Sequence, residues 1–224
     1  MSQDTWNAVD SYIVDSLVPQ DEALTGALAA SAAAGLPEIQ ISPNQGRLLY
    51  LLARMHGAKN ILEIGTLGGY SAIWLAHGLA EGGRLITLES DAKHAAIARG
   101  AIAQAGLSDR VEVRLGRALD TLPQLEAEGL GPFDLVFIDA DKPSNADYFT
   151  WALKLSRIGS VIIVDNVVRK GTIVDAKNED PNVVGVRRLY ELLRIEPRVH
   201  ATAVQTVGSK GHDGFVLALV VAGA

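Results

Sequence analysis

Leu62-Glu63-Ile64-Gly65-Thr66-Leu67-Gly68-Gly69-Tyr70-Ser71 runs from an apolar segment through three glycines into a helical pattern that continues to about Leu79. The apolar segment, Ile61–Ile64, reads as a short buried strand. Glycines at 65, 68 and 69 let the backbone turn tightly and come close to a ligand. A dinucleotide-binding turn would read G-x-G-x-x-G, with a helix N-terminus facing a pyrophosphate. Leu67 breaks that spacing, and Glu63 stands just before the first glycine. A carboxylate repels pyrophosphate and attracts a cationic ligand. The alternative is a purely structural strand-to-helix turn with an exposed Glu63.

Downstream, strand-like and helix-like segments alternate. Arg84–Leu88 reads as a strand, Ala92–Ala105 as a helix and Val111–Leu115 as a strand. Phe133–Ile138 and Val161–Val164 are two more buried-type runs with helical sequence between them. Such alternation predicts right-handed crossovers and a mostly parallel sheet with helices on both faces. A helix from Asn182 through Leu193 leads to strands near Val199–Val207 and Phe215–Val221. The short Gly208–Gly214 turn between them makes that pair antiparallel.

Upstream, residues 1 to about 57 read as helices. Trp6, Val9, Tyr12, Ile13 and Leu17 recur at helical spacing, with Pro19 and Gly35-Leu36-Pro37 as punctuation. Another helix begins after Ser42-Pro43-Asn44 and runs through Leu48, Leu49, Leu51 and Leu52. The expectation is one doubly wound, Rossmann-like α/β domain over residues 1–224. Its sheet is mostly parallel with an antiparallel C-terminal strand, and residues 1–57 form a helical cover.

Composition narrows the function classes. With 224 residues, 48% hydrophobic and 21% charged, the chain has the balance of an ordinary globular protein. A net charge of −6 argues against a nucleic-acid surface. The absence of cysteine excludes disulfides, thiolate metal sites and a cysteine nucleophile. The Ala-rich run Leu24–Ala34 lacks a basic flank, because no Lys or Arg precedes Arg47, and it is too short to span a bilayer. It reads as a core-facing helix, so a cytoplasmic protein without a membrane partner is expected.

In doubly wound sheets the ligand sits at the carboxyl ends of the strands, near the switch point. Glu89 closes the second strand, where an acid can accept both ribose hydroxyls. S-adenosylmethionine carries an ammonium, a sulfonium and a ribose, and so suits Glu63 and Glu89 together. Two further strands run into acids, at Asp139-Ala140-Asp141-Lys142 and at Asp165-Asn166. Asp139, Asp165 and Asn166 would offer a hard, all-oxygen set to Mg²⁺, Mn²⁺ or Ca²⁺. Either Asp alone reads equally well as a strand-end cap.

Leu62–Thr66 with Gly69-Tyr70-Ser71, then Phe137–Lys142, then Asp165-Asn166 and Gly171, resemble the metal-dependent O-methyltransferases of the caffeoyl-CoA and catechol type. The similarity runs from about Ile41 to Val220. It implies methyl transfer from S-adenosylmethionine to one hydroxyl of a metal-chelated vicinal diol, a catechol-like or phenylpropanoid small molecule. By the same resemblance, Glu63, Gly65, Thr66, Gly69, Tyr70, Ser71, Glu89, Ala118 and Asp139 would contact the cofactor. Asp139, Asp165 and Asn166 would hold the metal, with Mg²⁺ the leading candidate. Lys142 would be the general base, and Asp213 would lie on the substrate side. Homodimers are common in the family. One departure is Val167-Val168-Arg169-Lys170, where the plant acyl-CoA enzymes carry an aromatic residue after Asp-Asn. Arg169 and Lys170 would attract an anionic substrate or form a solvated basic turn. Tyr148 and Trp151 are candidates for pocket or core. Three other readings stay open: a metal-independent methyltransferase, a nicotinamide-dependent oxidoreductase, and a non-catalytic S-adenosylmethionine-binding regulator.

Overall fold

The computed structural model describes residues 2–223. Three helices come first: α1 (Gln3–Leu17), α2 (Glu22–Ala33) and α3 (Pro43–His56). The sheet strands are β1 (Asn60–Ile64), β2 (Arg84–Glu89), β3 (Val111–Leu115), β4 (Phe133–Ile138), β5 (Ser156–Asp165), β6 (Val199–Gly208) and β7 (Gly211–Val220). Between them run α4 (Tyr70–Gly78), α5 (Ala92–Gln104), α6 (Ala118–Ala127), α7 (Asn145–Lys154) and α8 (Pro181–Ile195). The strands lie side by side in the order β3-β2-β1-β4-β5-β7-β6. The strands β1 to β5 pair in parallel, and β7 runs against both β5 and β6.

Alternation along each strand explains why both faces must be covered. Ile61, Leu85, Leu135, Phe137 and Ile163 point into one core layer with α2 to α5. Their neighbours Leu62, Ile86, Val136, Ile138 and Ile162 point into the other, with α6 to α8. Strands buried on two sides carry no polar face, which is why they read as unbroken apolar runs. The order reverses between β1 and β4, so the carboxyl ends of these two strands frame the crevice of the switch point.

Two elements differ from the sequence reading, besides β5 starting at Ser156 and not at Val161. The hairpin turn is Ser209-Lys210, and Asp213 and Gly214 pair with Thr206 and Gln205 inside the ladder. A two-residue turn lets both strands pair to their ends, with Gly211 at a positive φ of 89°. The sequence reading gave residues 118–127 no element; they form α6 despite Pro123. Finally, α1 forms at the expected apolar spacing but buries none of its residues, and Tyr12 and Leu17 are 75% and 69% exposed. Among the described residues no helix is long and apolar enough to cross a membrane.

Candidate active site

A cleft of about 860 Å³ opens at the carboxyl ends of β1, β2 and β4, roofed by α2 and the 36–41 loop. Gly65, Thr66, Tyr70, Ser71, Glu89 and Ala118 all stand on its wall. Gly65 has a φ of +102°, and a Cβ there would lie 2.2 Å from the Asp139 carbonyl oxygen. Only glycine lets the ends of β1 and β4 close up in this way. Gly69 is not on the wall; it faces Ala98 of α5.

Glu63 is not on the wall either. It is fully buried beneath the loop, where Thr87 Oγ1 donates to its Oε2 at 2.6 Å and no partner reaches Oε1. Thr66 and Thr87 share a hydrogen bond of 2.5 Å, so a short polar file runs from the cleft wall down to Glu63. Burial pushes the Glu63 carboxyl up to about 8. The Ser71 and Thr87 hydroxyls oppose that rise, and the Asp139 and Glu89 charges add to it. Glu89 is buried but faces the cleft, and its two oxygens accept from Leu67 N at 2.8 Å and Asp91 N at 2.9 Å. Those backbone bonds fix the carboxylate at the end of β2.

The second group of acids lies across the switch point. Lys142 follows β4 in a short 3-10 turn, and its Nζ donates to Asp139 Oδ1 at 2.7 Å. α8 seats this turn through Gly185, where a Cβ would lie 2.2 Å from the Lys142 carbonyl oxygen. Asp165, at the end of β5, is 4% exposed. Its Oδ1 accepts from Asn166 N at 2.8 Å and its Oδ2 from Gln45 Nε2 at 2.7 Å. Burial first, and the Asp139 charge second, push the Asp165 carboxyl well above the ordinary carboxylate range, while the Lys142 charge opposes them. Asp139, Lys142 and Asn166 border the large cleft. Asp165 and Asn166 border a second one, of about 420 Å³, that continues toward α1, α3 and the hairpin.

Asp213 and Arg169 meet on that second side. Asp213 Oδ1 accepts from Val168 N, Arg169 N and Gly214 N, each at 3.0 Å. That oxygen therefore secures the turn after β5, while Oδ2 lies 4.0 Å from Arg169 Nη1. Arg169 borders both clefts, while Lys170 is exposed beside it. Tyr148 lines the large cleft and its hydroxyl donates to Asp141, whereas Trp151 stands off the wall under Lys154. The sequence reading missed Thr87 and Gln45. Thr87 reads as one more β-branched strand residue, and Gln45 lies 120 residues from the acid it meets.

Known proteins match this chain along nearly its whole length. The O-methyltransferase family model matches residues 16–220. A catechol O-methyltransferase of Niastella koreensis is 52% identical over 220 residues, spanning 98% of this chain and all of its own. Among solved structures, the O-methyltransferase from Bacillus cereus in complex with SAH superposes with a TM-score of 0.96 at 60% identity, covering 98% of this chain and 100% of that one. The O-methyltransferase TomG from Streptomyces achromogenes, in complex with SAM, gives 0.95 at 52% identity, covering 99% and 100%. The chain belongs to the O-methyltransferase family and is an S-adenosylmethionine-dependent enzyme.

Proposed function

We propose that this enzyme methylates one hydroxyl of a catechol-like vicinal diol held by a divalent cation. The observation that carries the reading is the set Asp139, Lys142, Asp165 and Asn166, gathered where the cofactor cleft meets the second cleft. The name of the Niastella koreensis relative supports the substrate class.

The residues fit a hard cation. Among the described residues no group of three or more His, Cys, Asp or Glu is placed to hold a metal ion, so this site depends on an amide as third donor. Asp139 and Asp165 have one lysine between them, so with both acids ionised one negative charge is left for a cation to balance. Two carboxylates and the Asn166 amide oxygen suit Mg²⁺, Mn²⁺ or Ca²⁺. When bound, the ion would supply a Lewis acid and a template for both diol oxygens.

The remaining chemistry belongs to the chain. Glu89 would hold the cofactor ribose and Ala118 its neighbouring ring, while Ser71 and the Gly65 turn would receive the methionine end above Glu63. Lys142 Nζ, as the neutral amine left once its ammonium proton has gone to solvent, would take the hydroxyl proton. The oxygen lone pair then forms the C–O bond as the C–S bond breaks, and its electrons stay on sulfur. Alignment of the two reactants can contribute several kcal/mol, roughly 7–11 at best. The exposed apolar residues of α1 would give a homodimer a surface to use.

The test is methyl transfer from labelled cofactor to a panel of catechols, hydroxycinnamoyl esters and monophenols, with Mg²⁺ and after exhaustive chelation. Catechols should be methylated only with metal. Undiminished transfer in chelator would leave a metal-independent methyltransferase instead.

A further inference from the structure

We propose that Gln45 is a positioning residue for the cation site, acting through Asp165; the inference rests on the metal reading above. Gln45 Nε2 lies 2.7 Å from Asp165 Oδ2. A carboxylate oxygen only accepts, so the atom facing it is the amide nitrogen. Asp165 Oδ1 is already held by Asn166 N. Each oxygen thus has one fixed donor, which sets the carboxylate plane and leaves the remaining lone pairs for an ion.

The donor is neutral, and that matters. A lysine or arginine at position 45 would pair with Asp165 and cancel the charge that a cation needs. A glutamine orients the acid without neutralising it. Its own placement is prepared from both sides. Ser42 Oγ caps α3 by accepting from Gln45 N at 3.2 Å. Asp10 of α1 accepts from Asn44 Nδ2 at 3.1 Å and from Ser209 N of the hairpin turn at 2.7 Å. The helical cover is thereby tied to the end of β5 by specific polar bonds, and Gln45 is where that tie reaches Asp165. Bonds that orient a ligating side chain are typically worth about 10–100-fold in metal affinity.

The experiment titrates Mn²⁺ into purified protein by calorimetry, and separately titrates S-adenosylmethionine in the presence of chelator. Gln45→Met keeps the length of the side chain and removes the donor. Its Mn²⁺ Kd should rise about 10–100-fold while cofactor affinity stays at the wild-type level. Gln45→Lys keeps a donor but brings a charge, and should abolish Mn²⁺ binding with the cofactor again unaffected. It also serves as the second variant should Gln45→Met fail to fold. Mn²⁺ affinity unchanged in a folded Gln45→Met protein overturns the inference and leaves the metal reading standing. Equal loss of both ligands means that Gln45 supports the fold rather than the acid, and overturns it too. A wild-type protein that binds no Mn²⁺ overturns both readings together.

Discussion

Around the glycine loop, acids are satisfied by near neighbours in the chain. Glu89 is held by Asp91 two residues on and by Leu67 22 residues back, and Glu63 by Thr87 24 residues away. On the acceptor side the partners come from far apart. Asp165 meets Gln45 across 120 residues, Asp213 meets Val168 across 45, and Asp10 meets Ser209 across 199. The acids of the proposed cofactor half, Glu63 and Glu89, lie in one β-α-β unit, whereas the proposed acceptor half needs the cover and the hairpin packed against the end of β5. Substitutions that disable one half and spare the other measure how separable the two are.

The largest separation should come from Lys142→Ala. Losing a general base typically costs about 10²–10⁴-fold in turnover. Cofactor affinity should stay intact, because Lys142 touches Asp139 and none of the bonds that hold Glu89 or Glu63. Steady-state kinetics on a catechol, with cofactor calorimetry alongside, checks both halves of that statement. A more acidic nitrocatechol should recover part of the rate, since its proton leaves more readily. Wild-type turnover of a weakly acidic catechol, where chemistry limits, would remove Lys142 from the base role.

The reciprocal break is Glu89→Ala. A hydrogen bond to a charged group is worth about 1.5–3 kcal/mol, so the cofactor Kd should rise roughly 10–100-fold. Here the structure sharpens what the sequence could say. Glu89 also anchors Leu67 N and Asp91 N, so the variant should lose about 1 kcal/mol of stability as well. Mn²⁺ affinity should not move. Unaltered cofactor binding in the folded variant would place the ribose elsewhere.

The same division explains what could be read in advance. Ile61–Ile64, Phe133–Ile138 and Val161–Val164 are buried on both faces, so composition alone marks them as strands, and their terminal acids follow. The first residues of β5 gave no signal because Arg157 and Ile158 are exposed. α6 was hidden by Pro123, and Gln45 by the absence of any local rule that pairs a helix N-terminus with a strand 120 residues away. Glu63 was legible as an acid at the right place, but not as one sealed below the loop. Its depth depends on Thr66, Thr87 and Ser71 closing over it.

That depth sets a pH dependence of stability carried by Glu63. In the unfolded chain a glutamate loses its proton near pH 4.3, whereas burial holds the folded carboxyl up to about 8. Between those values the folded state binds more protons than the unfolded state, so raising the pH removes stability. The contribution is fully present below the unfolded pKa and is lost as the pH rises toward 8. Its slope cannot exceed about 1.4 kcal/mol per pH unit for one group. Asp165 acts in the same direction, because its carboxyl is also pushed up. The acids held low, Asp134, Glu128 and Glu196 among them, finish titrating below this window. Glu63→Gln keeps an acceptor for Thr87 and cannot ionise. Without metal or cofactor, its stability relative to wild type should grow from pH 5 to 8 and level off above. Chemical denaturation of both proteins across pH 5–9 reads that difference directly, and the Asp165 contribution cancels between them. A constant difference over the whole range would mean that Glu63 is not titrating there. Adding S-adenosylmethionine should shrink the slope, because its ammonium near the loop favours the carboxylate. That last comparison ties the buried acid to the cofactor half of the cleft and not to the cation half.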